Sequence, residues 1–165
     1  MSQSTASHTF LEVVSPNEEL RFMWEDWMMA EQFIGPNTRL RIRPRLTAAR
    51  WSGNIDAAAR VGAMLTDNAV RHGRPLYGNR VWLRLMCLKK TDDLIVEVDD
   101  ARPDFPRFDE AASTPVEGGK PTGLCWVQHY RGRLAWQVKR DTEGQVIGKT
   151  VQVVLPERWS VDAAD

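Results

Sequence analysis

The stretch MLTDNAVRHG, residues 64–73, ends the clearest helical pattern in the chain and decides how the fold is interpreted. Upstream, Asn54 is a suitable N-cap, and Gly73 supplies a common helix ending. The pattern predicts an amphipathic helix that places Asn68 and His72 on one face, because they are four residues apart. Its apolar stripe recurs at helical spacing and consists of Ala57, Val61, Met64, Leu65 and Ala69.

Composition limits the classes of function. The chain has 165 residues, which is enough for one domain with its own core. Its 22 Lys and Arg residues equal its 22 Asp and Glu residues, so no overall positive field favours nucleic acid or an anionic membrane. The sequence carries neither a secretory-leader pattern nor an apolar run long enough for a bilayer. We therefore expect a cytoplasmic protein with neither nucleic acid nor a membrane as a partner.

The two cysteines, Cys87 and Cys125, lie far apart in apolar surroundings. They have no CxxC spacing and no histidine at a metal-binding distance along the chain. Buried free thiols, as in a reduced cytosolic protein, are therefore predicted rather than a disulfide.

The second half of the chain is predicted to be rich in strands. RVWLRLMCL (residues 80–88) and DLIVEVDD (93–100) form a hairpin around a charged turn. RLAWQVKR and KTVQVVLP form two further strands around DTEGQ, and GLCWVQHY is a short helix. Residues 101–122 are rich in Pro and Gly, which is typical of a long irregular loop that is either a functional lid or disordered.

The first third is predicted to contain a strand at residues 9–14, a helix and a second strand. The helix begins at Ser15 as N-cap and reaches about Phe33, and its Trp and Met residues serve either the core or a partner surface. RLRIRPRL (residues 39–46) alternates arginine with apolar residues and predicts a strand. Its charged face is either solvated or a phosphate-binding stripe, formed by Arg39, Arg41, Arg43 and Arg45.

These elements predict an α/β (α+β) two-layer sandwich, in which a mixed, mostly antiparallel sheet carries its helices on one face. We expect a single domain over residues 1–165. Within it, residues 1–46 hold the N-terminal strand, helix and second strand. Residues 47–156 form the core with a loop at 101–123, and residues 157–165 form a C-terminal tail.

Two polar groups have ordinary structural explanations when they are taken alone. Asn68, Arg71 and His72 suit a helix end, where Asn68 caps and the two basic residues complement the helix dipole. The pair Asp99–Asp100 suits the solvated end of a strand. The order of the motifs along the chain favours a different interpretation.

DNAVRHG, VEVDDARPDFP and GKTVQVVLP, in that order, resemble the ATP-binding domain of the GHKL superfamily (histidine-kinase-like ATPases). Within that superfamily, these segments are most similar to those of the bacterial anti-sigma-factor serine kinases and their small regulatory relatives. The resemblance covers residues 53–156. It implies a Bergerat-type ATP-binding fold, ATP and Mg²⁺ as cofactors, and a sigma factor or an anti-anti-sigma factor as partner. It also implies a possible homodimer.

The resemblance also implies roles for individual residues. Asn68 would coordinate Mg²⁺ through its amide oxygen, which suits a hard cation. Asp100 would accept a hydrogen bond from the adenine amino group, with Thr150 beside it. The loop 101–123 would be a lid over the phosphates. The remaining residues would contact or face the phosphates, namely Arg71, His72, Gly123 and Leu124.

Two positions depart from the pattern of the kinases. Met64 occupies the position of their usual glutamate base, and a thioether does not accept a proton at neutral pH. Asp67 is no simple substitute, because it points roughly 100° away from Asn68 on a helix. In the loop, Pro121-Thr122-Gly123 stands where the family tends to show Gly-x-Gly.

The sequence therefore predicts an ATP-binding regulator that acts by binding a partner in transcription or stress signalling. Phosphotransfer is expected to be weak or absent, because Met64 replaces the base. Two alternatives remain open: an active serine/threonine kinase whose base comes from elsewhere, and a nucleotide-free scaffold for protein interaction.

Overall fold

A computed structural model describes residues 19–112 and 123–157. Five strands form one sheet in the order β1-β2-β3-β5-β4, and each pairing between them is antiparallel. The predicted two-layer sandwich of the α+β class, with an antiparallel sheet, is confirmed. The elements are β1 (Leu20–Met29), α1 (Ile34–Ala48), α2 (Ile55–Arg71), β2 (Arg80–Leu88), β3 (Leu94–Asp100), α3 (Phe108–Ala112), a 3₁₀ turn (Gly123–Cys125), α4 (Trp126–His129), β4 (Arg133–Arg140) and β5 (Val146–Leu155).

The predicted helix before Gly73 is confirmed as α2. It begins where the side chain of Asn54 accepts a hydrogen bond from the backbone N–H of Ala57, at 3.0 Å. It ends where the backbone N–H groups of His72 and Gly73 both bond to the carbonyl of Asn68. The apolar residues of α2 and alternate residues of the strands belong to one hydrophobic core. The helix lies against the middle of the sheet, mainly against β3.

Period-two alternation divides β3 between the two faces of the sheet. Val96 and Val98 belong to the main core beneath the helices. Glu97 and Asp99 point to the opposite face, where Arg84 pairs with both. Asp100 therefore returns to the helix side, so the two neighbouring acids at the strand's end serve different faces.

The predicted helix from Ser15 to Phe33 is wrong over its described part, because residues 20–29 form the edge strand β1. Exposure alternates along this strand: Phe22 and Trp24 pack against the core, whereas Met23 and Trp27 are exposed. Its apolar residues match both helical and strand spacing, and pairing with β2 favours the strand. The strand predicted at residues 9–14 lies outside the described residues.

The predicted strand at residues 39–46 is also wrong, because this segment belongs to α1. Every fourth residue is buried, namely Ile34, Thr38, Ile42 and Leu46. Pro44 lies on the exposed side, where the carbonyl that loses its bond can be hydrated. Two of the arginines pair with surface acids: Arg41 with Asp26 at 2.8 Å and Arg43 with Asp56 at 2.8 Å.

Both cysteines are free, as predicted, although Cys125 is only half-buried. Burial, with added repulsion from Asp92, raises the pKa of the Cys87 thiol to about 12. In the described part of the chain, no helix combines the length and apolarity needed to cross a bilayer.

Helix α1 can be distinguished from the predicted strand by two substitutions. Ile42 is 0% exposed and Leu40 is 71% exposed, although a strand would put both on the same face. We expect Ile42→Ala to lower the free energy of unfolding by about 2–5 kcal/mol. Leu40→Ala should change it by less than about 0.5 kcal/mol. Chemical denaturation measures both, and equal losses would contradict the helix.

Candidate functional site

A pocket of about 410 Å³ lies where the end of α2 meets β5, the segment after β3 and the 3₁₀ turn. Its volume is within the usual range for small-molecule sites. Helix α3 forms one side of it. The lining residues are Asn68, His72, Arg102, Phe105, Pro106, Arg107, Glu110, Ala111, Gly123, Leu124, Cys125 and Lys149.

Four of the residues that the sequence singled out meet in this pocket. Asn68 and His72 line it from α2, because their spacing of four aligns them on one helix face. Gly123 and Leu124 line it from the 3₁₀ turn. The backbone of Gly123 has φ +52°, in the left-handed region that glycine adopts without strain.

Basic side chains dominate the charge of the lining. Among the described lining residues, three are basic (Arg102, Arg107 and Lys149) and one, Glu110, is acidic. The guanidinium of Arg102 donates to the carbonyl of His72 at 2.6 Å and to Asp104 at 2.8 Å. Arg102 thus joins the segment after β3 to the end of α2. Lys149 is paired with Asp100, and Arg102 with Asp104. Arg107 and the remaining N–H groups of Arg102 are therefore the donors that suit an anionic ligand.

Asp100 is fully buried directly behind this lining. Its Oδ1 accepts hydrogen bonds from Lys149 Nζ at 3.0 Å and from the backbone N–H of Arg102 at 2.8 Å. Within the described residues no group makes a well-formed hydrogen bond to its Oδ2, although the backbone N–H of Arg74 lies near enough to the carboxylate to lower its pKa. Burial raises the pKa of Asp100, and the charge of Lys149 opposes that rise. Leaving a buried acceptor unpaired typically costs about 1–3 kcal/mol, so Oδ2 is a candidate to receive a ligand's N–H.

Gly73 allows the end of α2 to close over this carboxylate. A Cβ at position 73 would lie 2.7 Å from Asp100 Oδ2 and 2.5 Å from the carbonyl oxygen of Ala69. Both distances are shorter than any side chain tolerates. The glycine is therefore required by the close approach of helix end and carboxylate.

The implied placement of Thr150 beside Asp100 is wrong. The sheet register pairs Asp100 with Lys149 and Asp99 with Thr150. Thr150 Oγ1 donates to Asp99 Oδ1 at 2.6 Å, on the face away from the pocket. Lys149 takes the place next to Asp100 that the resemblance gave to the threonine.

Arg71, like Thr150 and Asp100, is an implied contact that is not among the lining residues. Its guanidinium pairs with Asp67 at 3.0 Å, one helical turn back. Met64, at the position of the expected base, is half-buried and packs against the main core. Neither Met64 nor Asp67 is part of the lining, so neither replaces a glutamate there.

Sequence reasoning missed several residues of the lining, above all Lys149, Arg102 and Arg107. Val151 and Val153 are buried, and side chains two residues apart on a strand share a face. This alternation could have placed Lys149 on the pocket face from the sequence. The two arginines come from a segment without periodicity and had none. The predicted irregular loop contains α3, and its residues 113–122, with the Pro121-Thr122 departure, lie outside the described residues.

The chain was compared with known proteins in two ways. A scan against models of protein families found no match, and neither did a search of curated proteins. The side chains of the pocket are the basis for the function proposed below.

Gly73→Ala tests the close approach at the end of α2. The new methyl group has to displace the Asp100 carboxylate or the helix end, and we expect a loss of about 1–3 kcal/mol in unfolding free energy. Gly35→Ala is the matched control, because a Cβ at position 35 meets nothing nearer than 3.6 Å. Thermal or chemical denaturation measures both. Equal stability of the two variants would show that helix end and carboxylate are not in contact.

Proposed function

We propose that this protein binds ATP with Mg²⁺ in the pocket beside Asn68 and regulates another protein by binding it. The proposal is supported mainly by one observation. A pocket with three basic side chains lies directly in front of a buried carboxylate that has an unused acceptor oxygen. A nucleoside triphosphate combines the two complementary features, an anionic tail and a base with N–H donors.

The adenine end of the ligand would meet Asp100. The adenine amino group is a donor, and Oδ2 of Asp100 is an acceptor with no well-formed hydrogen bond within the described residues. Asp100 is separated from the pocket by Lys149, which lines the pocket and bonds to the carboxylate. We therefore expect a local shift at Lys149 or Gly73 when the base enters.

The phosphate end would meet the basic lining. Arg107 and His72 offer donors to phosphate oxygens, and the N–H groups of the 3₁₀ turn lie at the same wall. Within residues 19–112 and 123–157, no group of three or more His, Cys, Asp or Glu side chains is arranged to hold a metal ion. The amide oxygen of Asn68 would supply one ligand to an Mg²⁺ ion that arrives bound to the phosphates.

Regulation through binding fits the residues near the phosphates better than phosphotransfer does. Met64 offers no base, and the carboxylate of Asp67 is held by Arg71. The partner implied by the resemblance is a sigma factor or an anti-anti-sigma factor. The edge strand β1 exposes Met23, Trp27 and Met29, which are side chains of a kind common in protein interfaces.

An active serine kinase is the second candidate, and one observation favours it. Glu110 lines the pocket from α3 and is the one carboxylate among the lining residues that the structure describes. It would take the role of base that Met64 leaves open. The third possibility, a scaffold without nucleotide, is separated from both by a binding measurement.

Calorimetric titration with ATP and Mg²⁺ tests the proposal. We expect the wild type to bind and Asp100→Ala to lose most of the affinity, since the adenine contact is removed. Arg107→Asn should weaken binding about tenfold or more, because a charged contact to phosphate is lost. Asparagine is chosen because it tolerates the positive φ of +60° at position 107.

Arg71→Asn is the matched control for the loss of charge. Arg71 pairs with Asp67 outside the pocket, so its replacement should leave the affinity within about threefold. A larger loss of affinity in Arg71→Asn than in Arg107→Asn would contradict this placement of the phosphates. It would indicate that the phosphates lie beside Arg71, as the resemblance implies. Absence of heat from both the wild type and Asp100→Ala would support the scaffold.

Phosphotransfer is expected to be slow in the purified protein, because a placed base typically contributes about 10²–10⁴ in rate. Incubation with ATP labelled at the γ-phosphate, with and without an anti-anti-sigma factor, measures transfer and hydrolysis. Efficient transfer that Glu110→Gln abolishes would establish the kinase alternative. Slow turnover that Glu110→Gln leaves unchanged is the result we expect.

A further inference from the structure

Lys149 is an unusual lysine, because its side chain is only 2% exposed. Its ammonium group donates to Asp100 Oδ1 at 3.0 Å and to the carbonyl of Arg102 at 3.2 Å. It also lies 5.8 Å from the centre of the Phe105 ring. A lysine held by three neighbours in a pocket wall is fixed in position, and its charge acts mainly on Asp100.

The other charged groups near this pair come from the surrounding elements. Burial lowers the pKa of Lys149, and the charge of Asp100 opposes that change. The segment after β3 brings Arg102, which lowers this pKa further, and Asp104, which raises it. The end of α2 brings His72 and Arg74. Asp99 and Lys139 form a separate pair at 2.6 Å on the other face of the sheet. Within the pocket wall, Lys149 is therefore the cation in direct contact with the Asp100 side chain.

The protonation of Asp100 decides what Oδ2 can do. An ionised carboxylate only accepts hydrogen bonds, whereas a neutral carboxyl group can also donate one. Burial favours the neutral form and raises the pKa of Asp100. Lys149 counteracts that effect, and its ammonium group donates to Oδ1 rather than to Oδ2.

Purines differ at the position that would face Oδ2. Adenine carries an amino group there, which is a donor, and hypoxanthine carries an oxo group, which is an acceptor. An ionised Asp100 therefore matches adenine and repels hypoxanthine, while a neutral Asp100 matches either. A site that presents one fixed hydrogen-bonding group rejects the wrong partner strongly.

We propose that Lys149 is a positioning residue that sets base selectivity, by keeping Asp100 as an acceptor for a 6-amino purine. The proposal rests on the proposed nucleotide site and adds the residue that determines which base enters. Lys149 acts through Asp100 and does not itself contact the base.

The test compares ATP with ITP, two nucleotides that differ at the 6-position. Dissociation constants are measured by calorimetry at pH 6 and pH 8 for the wild type and Lys149→Met. We expect the wild type to prefer ATP by about tenfold or more at both pH values. In Lys149→Met the preference should fall to about threefold or less at pH 6 and recover in part at pH 8, because Asp100 then ionises only at the higher pH.

Lys139→Met is the matched control, because it removes a lysine from an aspartate on the opposite face of the same sheet. It should keep the wild-type preference. Protonation of the triphosphate is common to both nucleotides, so it cancels in the ratio. A preference that also falls in Lys139→Met would mean a general structural effect and would overturn the proposal.

Lys149→Met leaves a buried carboxyl group without its cation, which can destabilise the fold. A second variant therefore removes the carboxyl group as well. In Lys149→Met/Asp100→Asn nothing at the pair titrates, and any remaining preference should be independent of pH. NMR titration of the Asp100 carboxyl carbon gives a readout without nucleotide. Its pKa should be higher in Lys149→Met than in the wild type, and an unchanged value would overturn the proposal.

Failure of this proposal and failure of the proposed function give different results. If the wild type binds neither nucleotide, the nucleotide site itself is refuted, and the role of Lys149 with it. If the wild type prefers ATP and Lys149→Met keeps that preference at pH 6, only the role of Lys149 is refuted. Equal loss of both nucleotides at both pH values would assign Lys149 a purely structural role.

Discussion

The register between β3 and β5 is the constraint on which the site depends. It sets Asp100 opposite Lys149 on the pocket face and Asp99 opposite Thr150 on the other face. Because strand side chains alternate, a slip by one residue would exchange the two aspartates. The close packing of Gly148 against the backbone of Asp100 fixes this register, since a Cβ at position 148 would lie 1.9 Å from the Asp100 carbonyl oxygen.

The two faces of the sheet carry different kinds of charge. On the outer face, Glu97 and Asp99 are satisfied by Arg84, Lys139 and neighbouring polar side chains. Such a network favours one arrangement of the strands and leaves little capacity for a ligand. On the helix face, one oxygen of Asp100 has no well-formed hydrogen bond within the described residues, and Lys149 lies between this carboxylate and the pocket. The binding capacity of the domain is thus concentrated on one face.

Sequence patterns predicted the parts of the fold whose periodicity is unambiguous. The helix α2, the four strands after it and the shared face of Asn68 and His72 follow from spacing alone. The first third was misread, because the apolar residues of β1 fit two periods and the arginines of α1 masked a buried row at every fourth position. The partner of Asp100 was missed because the register between strands is a tertiary property. Arg102 and Arg107 belong to a segment whose position depends on its neighbours rather than on local pattern.

The hydrogen bonds of Arg102 connect the pocket lining to the end of α2 and to the segment that leads into α3. Its backbone N–H holds Asp100, and its guanidinium is shared between the end of α2 and Asp104. An anion that takes the Nε or Nη1 donors of this guanidinium competes with those internal bonds. Occupancy of the pocket and the conformation of the segment leading into α3 are then thermodynamically linked, and each must influence the other by the same free energy.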